Sequence, residues 1–413
     1  MKAVSTGGLD MSRLTGCVAR TQATLVGLLL VCLLAWAAHP VRAQEGGRPC
    51  DSCLAATPEG WQLRADYLLW WTKGNRLPPL VTSSPQGTPR AMAGVLNTPG
   101  VEVLFGDHAI DDQIRSGGRW TLARWLDTPS PVAVEGSFLY VADDRRSGVF
   151  SASWFDQPVL ARPFFNAGNQ QEDSQLVVFP GVLDGRIDVS GSSDIYSAEL
   201  QARGTGRRDA RGQLDWLAGY RYFHFGESLR IREQLTSVER DGIVPLDTRF
   251  ELADRISTGN DFHGVQGGVA FEFRRDRGSF ELSAKAAVGN LRRQSRIRGE
   301  TAAQIPGLDP QTTPGALLAL PTNIGTSSDH RFAVLPELGI QSGLRLNRRL
   351  SLACGYSLIL LHDVARTGDQ LDRTVNTSQI GDRPLDGPAR PAAQLAGSAL
   401  WLQGLNLGLD YRW

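Results

Sequence analysis

Ten stretches of about ten residues, each alternating apolar and polar side chains, are joined by connections that are long and short by turns. The stretches are Trp61–Trp71, Ser116–Leu126, Val132–Ala142, Asp194–Arg203, Gln213–Phe225, Asp261–Arg274, Ser279–Asn290, Arg331–Leu346, Leu350–Asp363 and the closing Ala399–Trp413. Period-two alternation puts one face of a strand in oil or core and the other in water. About ten residues is the length that crosses a hydrocarbon layer when the strand is tilted. The connections run to about 44, five, 51, nine, 35, four, 40, three and 35 residues, the pattern of a transmembrane barrel with short turns on one side and long loops on the other. A soluble sandwich has no reason to sort its loops in this way. The reading is therefore all-β: a closed, antiparallel, up-and-down transmembrane barrel of about ten strands. Counting Val101–Phe105 and Val149–Trp154 as spanning would raise the number to twelve.

Composition agrees with this and excludes other classes. The 413 residues carry 43 basic and 43 acidic side chains, so no bulk charge draws the chain to nucleic acid. Mean hydropathy is −0.20, low for a bundle of membrane helices but ordinary for strands that hide their apolar residues in alternation.

The N-terminus reads as an export signal. Arg13 and Arg20 precede an apolar run, Leu25–Ala38, and Val41-Arg42-Ala43 supplies small residues at the −3 and −1 positions of a cleavage site. The expected organisation is a cleaved signal at 1–43, a short periplasmic tail at 44–60 and a barrel at 61–413. Cys50 and Cys53 stand in the tail as a Cys-x-x-Cys without the scaffold that redox or metal chemistry needs, so a short disulfide is expected. Cys354 lies on an apolar face, where a thiol packs as a small hydrophobe.

The final strand ends on an aromatic. Its polar, glycine and aromatic positions, Asn406, Gly408, Tyr411 and Trp413, resemble the recognition signal of the bacterial barrel-assembly machinery. That machinery and outer-membrane lipid are the expected partners, and a monomer is expected.

The sequence further resembles the planctomycete type-seven outer-membrane β-barrel proteins (BBP-type, formerly a domain of unknown function). The stretches that carry the resemblance are Ala65–Trp71, Leu160–Asn166, Leu214–Tyr222, Pro336–Gly339, Asp363–Gln370 and Gln403–Gly408. It implies the barrel fold and no catalytic chemistry. The recurrence of Asp363–Gln370 hints at a structured surface loop.

No zinc, P-loop or nucleophile-elbow motif is present, and neither a cofactor nor a metal is expected. His108 follows Asp107 and His362 precedes Asp363, but neighbours on a strand face opposite ways, which argues against a local dyad and against an enzyme. The alternation turns a mixed set of charges inward: Arg64, Asp66, Glu135, Glu199, Arg203, Asp215, Arg221, Glu272, Arg274, Glu281, Lys285, Glu337, Arg345, Asp410 and Arg412. A ring of about ten strands lies near the size that side chains fill. The interior is therefore expected to be narrow or closed and crossed by ion pairs. A structural or surface-exposed role follows, with a porin-like channel or a hydrolase at the rim as alternatives. Lumen-facing aromatics such as Trp70 would be placed for carbohydrate stacking.

Overall fold

The computed structural model describes residues 60–110, 113–126, 131–151, 159–209, 212–381 and 383–413. The export signal, Cys50 and Cys53, and the turn at 127–130 lie outside these residues. Ten long strands make one antiparallel ring: β1 (Gly60–Thr72), β2 (Arg115–Leu126), β3 (Val132–Ser151), β4 (Leu183–Arg208), β5 (Gly212–Ser237), β6 (Arg249–Arg275), β7 (Gly278–Gln304), β8 (Gly325–Arg345), β9 (Leu350–Val364) and β10 (Ser398–Arg412). Each pairs with its successor. The last pairs with the first in unbroken register, from Gln62 opposite Arg412 to Thr72 opposite Leu402. Reciprocal backbone bonds between Trp61 and Trp413, both 3.0 Å, finish the seam. Closure leaves the ring no free edge, which is the condition for a sheet to cross a bilayer.

The outward face is what the alternation dictates. Leu200, Val265, Phe332 and Leu338 point away from the ring at 60, 65, 79 and 54 % exposure. They belong to a belt of exposed large apolar side chains drawn from every strand, far more than a soluble surface leaves bare. Tyr67, Trp120, Tyr140 and Tyr220, and Trp61, Tyr411 and Trp413 near the seam, add the aromatics of a membrane girdle. Arg124, the one misfit on the apolar face of β2, lies over the Trp61 ring at 5.3 Å, where a cation–π contact and an interfacial position suit a guanidinium.

The twelve-strand alternative fails. Glu102–Phe105 belongs to a separate five-stranded sheet with Val81–Ser84, Val159–Asn166, Gln171–Val178 and Thr374–Val375, and Val149–Ser151 is the end of β3. The strands β3 to β8 are longer than the alternation suggested, with 20, 26, 26, 27, 27 and 21 residues in turn. Gly185–Ser193, part of the connection of about 51 residues between the third and fourth stretches, is strand. Its Gly and Ser content resembles a loop, yet from Ile187 on every second residue is buried. These extensions stand beyond the apolar belt. Their inner faces pack on the loop sheet: Ile187, Leu229 and Ile231 join Leu80, Val81, Leu160 and Val177 in one buried cluster, and the buried Glu233 and Asp254 pair with Arg162 of that sheet.

Candidate functional site

The lumen holds three layers. The lowest, beside the short turns, is a cavity of ≈ 210 Å³ with charged walls. Inward positions on neighbouring strands stand opposite one another, so registers decide which charges meet. Arg221 is fully buried and is held by Glu337 at 2.6 Å and Glu199 at 3.4 Å. Lys285 reaches the same two carboxylates at 3.4 and 2.8 Å, and Arg119 adds a third cation to Glu337 at 3.2 Å. A second knot gathers on Arg203, with Asp215 at 2.7 Å, Glu281 at 2.8 Å and Glu135 at 3.9 Å. Gln266 joins the two knots by donating to Glu199 and to Gln201, whose amide donates to Glu135. Bringing these charges out of water is tolerable only because each faces an opposite charge and the spare lone pairs are hydrogen-bonded.

Pairs along one strand line the rest of the wall: Arg64 with Asp66 at 2.8 Å, Arg274 with Glu272 at 2.6 Å, and Arg412 with Asp410 at 3.2 Å. Arg345 stands apart. It is exposed at the rim and donates to the Asp276 carbonyl in the β6–β7 turn, because β8 ends there and its last side chain has no lumen left to face. Arg119 was not foreseen. Arg119 sits on β2, where Arg124 obscured the alternation.

The middle layer is apolar. Leu68, Leu139, Phe223, Phe225, Phe262, Leu335 and Leu361, each at most 3 % exposed, belong to a cluster supplied by every strand but β2. At the same height β2 contributes Gly117, where a Cβ would stand 2.5 Å from the Tyr140 carbonyl oxygen. Trp70 lies in this layer with no exposure and donates its indole N–H to Asn406 at 2.8 Å, so it presents no stacking face to the lumen.

The upper layer is a polar latch. Asp363–Gln370 folds down into the barrel mouth. Arg366 is almost fully buried: two of its guanidinium nitrogens donate to Glu227 at 3.1 and 2.6 Å, and the third to the Lys73 and Gly74 carbonyls at 2.6 and 3.0 Å. The Asn260 amide donates to and accepts from the Ala365 backbone at 2.9 and 2.7 Å. Asn75 donates to Glu227 and Thr367. Arg293 ties the base of the segment to Asp329 at 2.7 Å and Asp363 at 2.8 Å. Of this layer only the recurring Asp363–Gln370 stretch was legible in the sequence, as a hint of an ordered loop. Glu227, Asn260 and Asn75 lie far from it along the chain and carry no local motif.

Neither Asp107–His108 nor Asp363–His362 pairs as an Asp–His dyad. His108 and His362 are exposed, and Asp363 is turned to Arg293. Among the described residues the His–Asp contacts are those of His224, 3.1 Å from Asp194 and 2.7 Å from Asp261, with Tyr222 donating to Asp261 at 2.8 Å. All four point outward at the upper margin of the belt. At the seam, Asn406 and Gly408 turn inward, and Tyr411 and Trp413 stack outward with centroids 5.6 Å apart. A Cβ on Gly408 would come within 2.1 Å of Asp66.

The family described as "Putative beta barrel porin-7 (BBP7)" matches residues 61–413, the ring and its loops from first strand to last. The chain belongs to this family. No curated protein matches it. Among solved structures this BBP7 chain is similar to the outer membrane protease OmpT from Escherichia coli, at 8 % identity and a TM-score of 0.39, covering 86 % of this chain and 98 % of that one. It is also similar to a Pseudomonas aeruginosa FadL homologue, at 11 % identity and a TM-score of 0.23, covering 86 and 90 %. At those values neither superposes closely on the BBP7 ring.

Proposed function

We propose that the mature protein resides in a bacterial outer membrane as a closed barrel that carries a folded cap of loops on the cell surface, with at most restricted passage of small solutes. One observation carries this reading: above the charged cavity the bore is filled by the strands' own apolar side chains and then by the Arg366 latch. A solute path needs a continuous polar or aqueous wall, and the charged wall ends at the layer of Leu68, Phe223 and Phe262. The paired charges below serve to satisfy one another. Eight carboxylates and six cations line that cavity, and the buried Arg221 behind Glu199 and Glu337 adds a seventh cation, a near balance that selects neither sign of ion.

Reconstitution in planar bilayers with single-channel recording tests the reading. The expected record is flat, and stepwise conductance at the protein's own concentration dependence would overturn it in favour of a porin-like channel. Membership in a porin family supports that second reading. A hydrolase at the rim is the third, and it predicts a hydrolysis that disappears in His108→Ala or His362→Ala. The expectation here is that neither substitution changes any activity of the purified protein. Asn406, Gly408, Tyr411 and Trp413 are proposed as the recognition element for the assembly machinery, and the barrel as a monomer.

A further inference from the structure

At the end of the ring that carries the short turns, the lower margin of the apolar belt is edged with arginine. Arg124 of β2 points outward between Trp61 of β1 and Val134 of β3, its direct neighbours on either side, both exposed. A bulge at 205–207 of β4 sets Arg207 opposite the outward Leu214 of β5. Without that extra residue the alternation would turn Arg207 inward. Arg275 of β6 follows Phe271 and Phe273 on the outward face and is exposed. Arg277 lies in the same turn, and Arg348 and Arg349 lie in the β8–β9 turn just past the exposed Leu344 and Leu346.

The chain leaves this margin positive. Among the described residues none of the six arginines makes an ion pair, whereas Arg64, Arg203, Arg221 and Arg274 in the lumen each meet a carboxylate. The acidic side chains described on the outside of this margin are Asp209, which accepts the Gly212 amide at 2.8 Å, and Asp276, between Arg275 and Arg277. The upper margin of the belt is different. There Asp261 stands in register between His224 and Arg292, so acid and base alternate. The chain as a whole balances 43 basic against 43 acidic residues, so the excess at the lower margin is a sorting of charge by position.

We propose that the lower margin recruits anionic glycerophospholipids, of the phosphatidylglycerol class, from the leaflet on the side of the turns. Apolar and cationic groups stand there at one height. Arg124 and Arg207 lie directly beside belt residues, and Phe273 to Arg275 is about 7 Å along the strand. One lipid can therefore lay its chains on the belt while its phosphodiester meets a guanidinium, whose fork matches phosphate oxygens in charge and geometry. The arginine stem covers apolar surface and its head reaches the interface. A zwitterionic headgroup brings its own cation to the same place and gains less. β2, β4 and β6 are every second strand of the ring, so their arginines recur about every 10 Å around it, and each meets a lipid of its own. The inference rests on the membrane placement proposed above.

The test reconstitutes the full chain in vesicles of phosphatidylcholine and phosphatidylglycerol, with one lipid and then the other carrying brominated chains that quench tryptophan. Trp61, against Arg124, and Trp216, the next outward position after Leu214, report on lipids beside the arginines. The anionic lipid is expected to be preferred about fivefold, the worth of one arginine near a membrane surface. Arg124→Gln/Arg207→Gln/Arg275→Gln/Arg348→Gln should remove most of that preference. Arg230→Gln/Arg232→Gln/Arg255→Gln/Arg298→Gln should keep it, since it removes as much charge from the outer wall near Arg255, ten residues of β6 beyond Val265. Equal quenching by the two lipids in the inserted wild type overturns the proposal without recourse to any variant. A preference that inorganic phosphate abolishes and chloride of equal ionic strength does not also overturns it, since that would mark a site for the free anion. Failure to insert, read by heat-modifiable gel mobility, would overturn the membrane placement itself and this proposal with it.

Discussion

Arg221 shows how strongly one side chain is held by its opposites. It has no exposure and faces Glu199 and Glu337. Arg221→Ala would leave two buried carboxylates with Lys285 as their main remaining cation, and removing one member of a buried ionic cluster costs about 3–5 kcal/mol. The expected result is a lowered midpoint for denaturant unfolding in lipid vesicles, followed by tryptophan fluorescence. A midpoint equal to the wild type would show that the cavity is wetter than its geometry implies.

Asp372, in the last long loop, gives a pH test. Burial raises its pKa, but the Ala392 and Thr374 amides, at 2.8 and 2.9 Å, and Arg390, at 2.7 Å, outweigh that and hold the carboxyl below its ordinary range. A depressed folded pKa adds stability that is full above the unfolded value, near 4, and is lost as pH falls through the folded one. Hydrogen exchange of the 371–392 backbone should therefore quicken in acid below about pH 4, and Asp372→Asn should remove that dependence by losing the stability at every pH.

Among the elements, the seam between β1 and β10 decides whether the sheet is a barrel at all. Leu63 and Tyr411 are directly opposite across it, and opposed residues lie about 4.5–5.5 Å apart at Cα, within reach of a disulfide. With Cys50, Cys53 and Cys354 replaced by Ser, Leu63→Cys/Tyr411→Cys should oxidise to a cross-linked species of altered gel mobility. Failure to cross-link in membranes would mean an open ring. The latch is a separate element, and its loss should be local. Arg366→Ala is expected to raise protease access to residues 366–397 while the barrel keeps its heat-modifiable gel mobility, because the apolar layer beneath does not depend on it.

For the whole molecule, the apolar layer is what separates a closed barrel from a channel. Phe223→Ala/Phe262→Ala would join the space above to the charged cavity below. Each large-to-small change in a packed layer costs about 3–5 kcal/mol, so folding is to be verified by the same gel shift. Conductance bursts in planar bilayers are expected from the double variant and not from the wild type. A silent double variant would place the closure in the latch instead.

The class of fold, the strand number, the seam and the orientation of most lumen charges could all be read from period-two alternation and loop lengths. Those properties depend on which face a side chain takes, and in a strand that is set by odd or even position along the chain. Strand length escaped the same reading, as at Gly185–Ser193, because beyond the lipid the outward residues turn polar and the alternation weakens. The ion-pair partners of Arg203 and Arg221, the latch of Arg366 on Glu227 and Asn260, and the stopper of Phe223 and Phe262 escaped it too. Each depends on which strands stand side by side and at what height, and that comes from register and closure of the ring. A side chain's facing is a local matter of backbone geometry. What it meets inside the ring is settled by residues hundreds of positions away, as between Trp70 and Asn406, 336 apart.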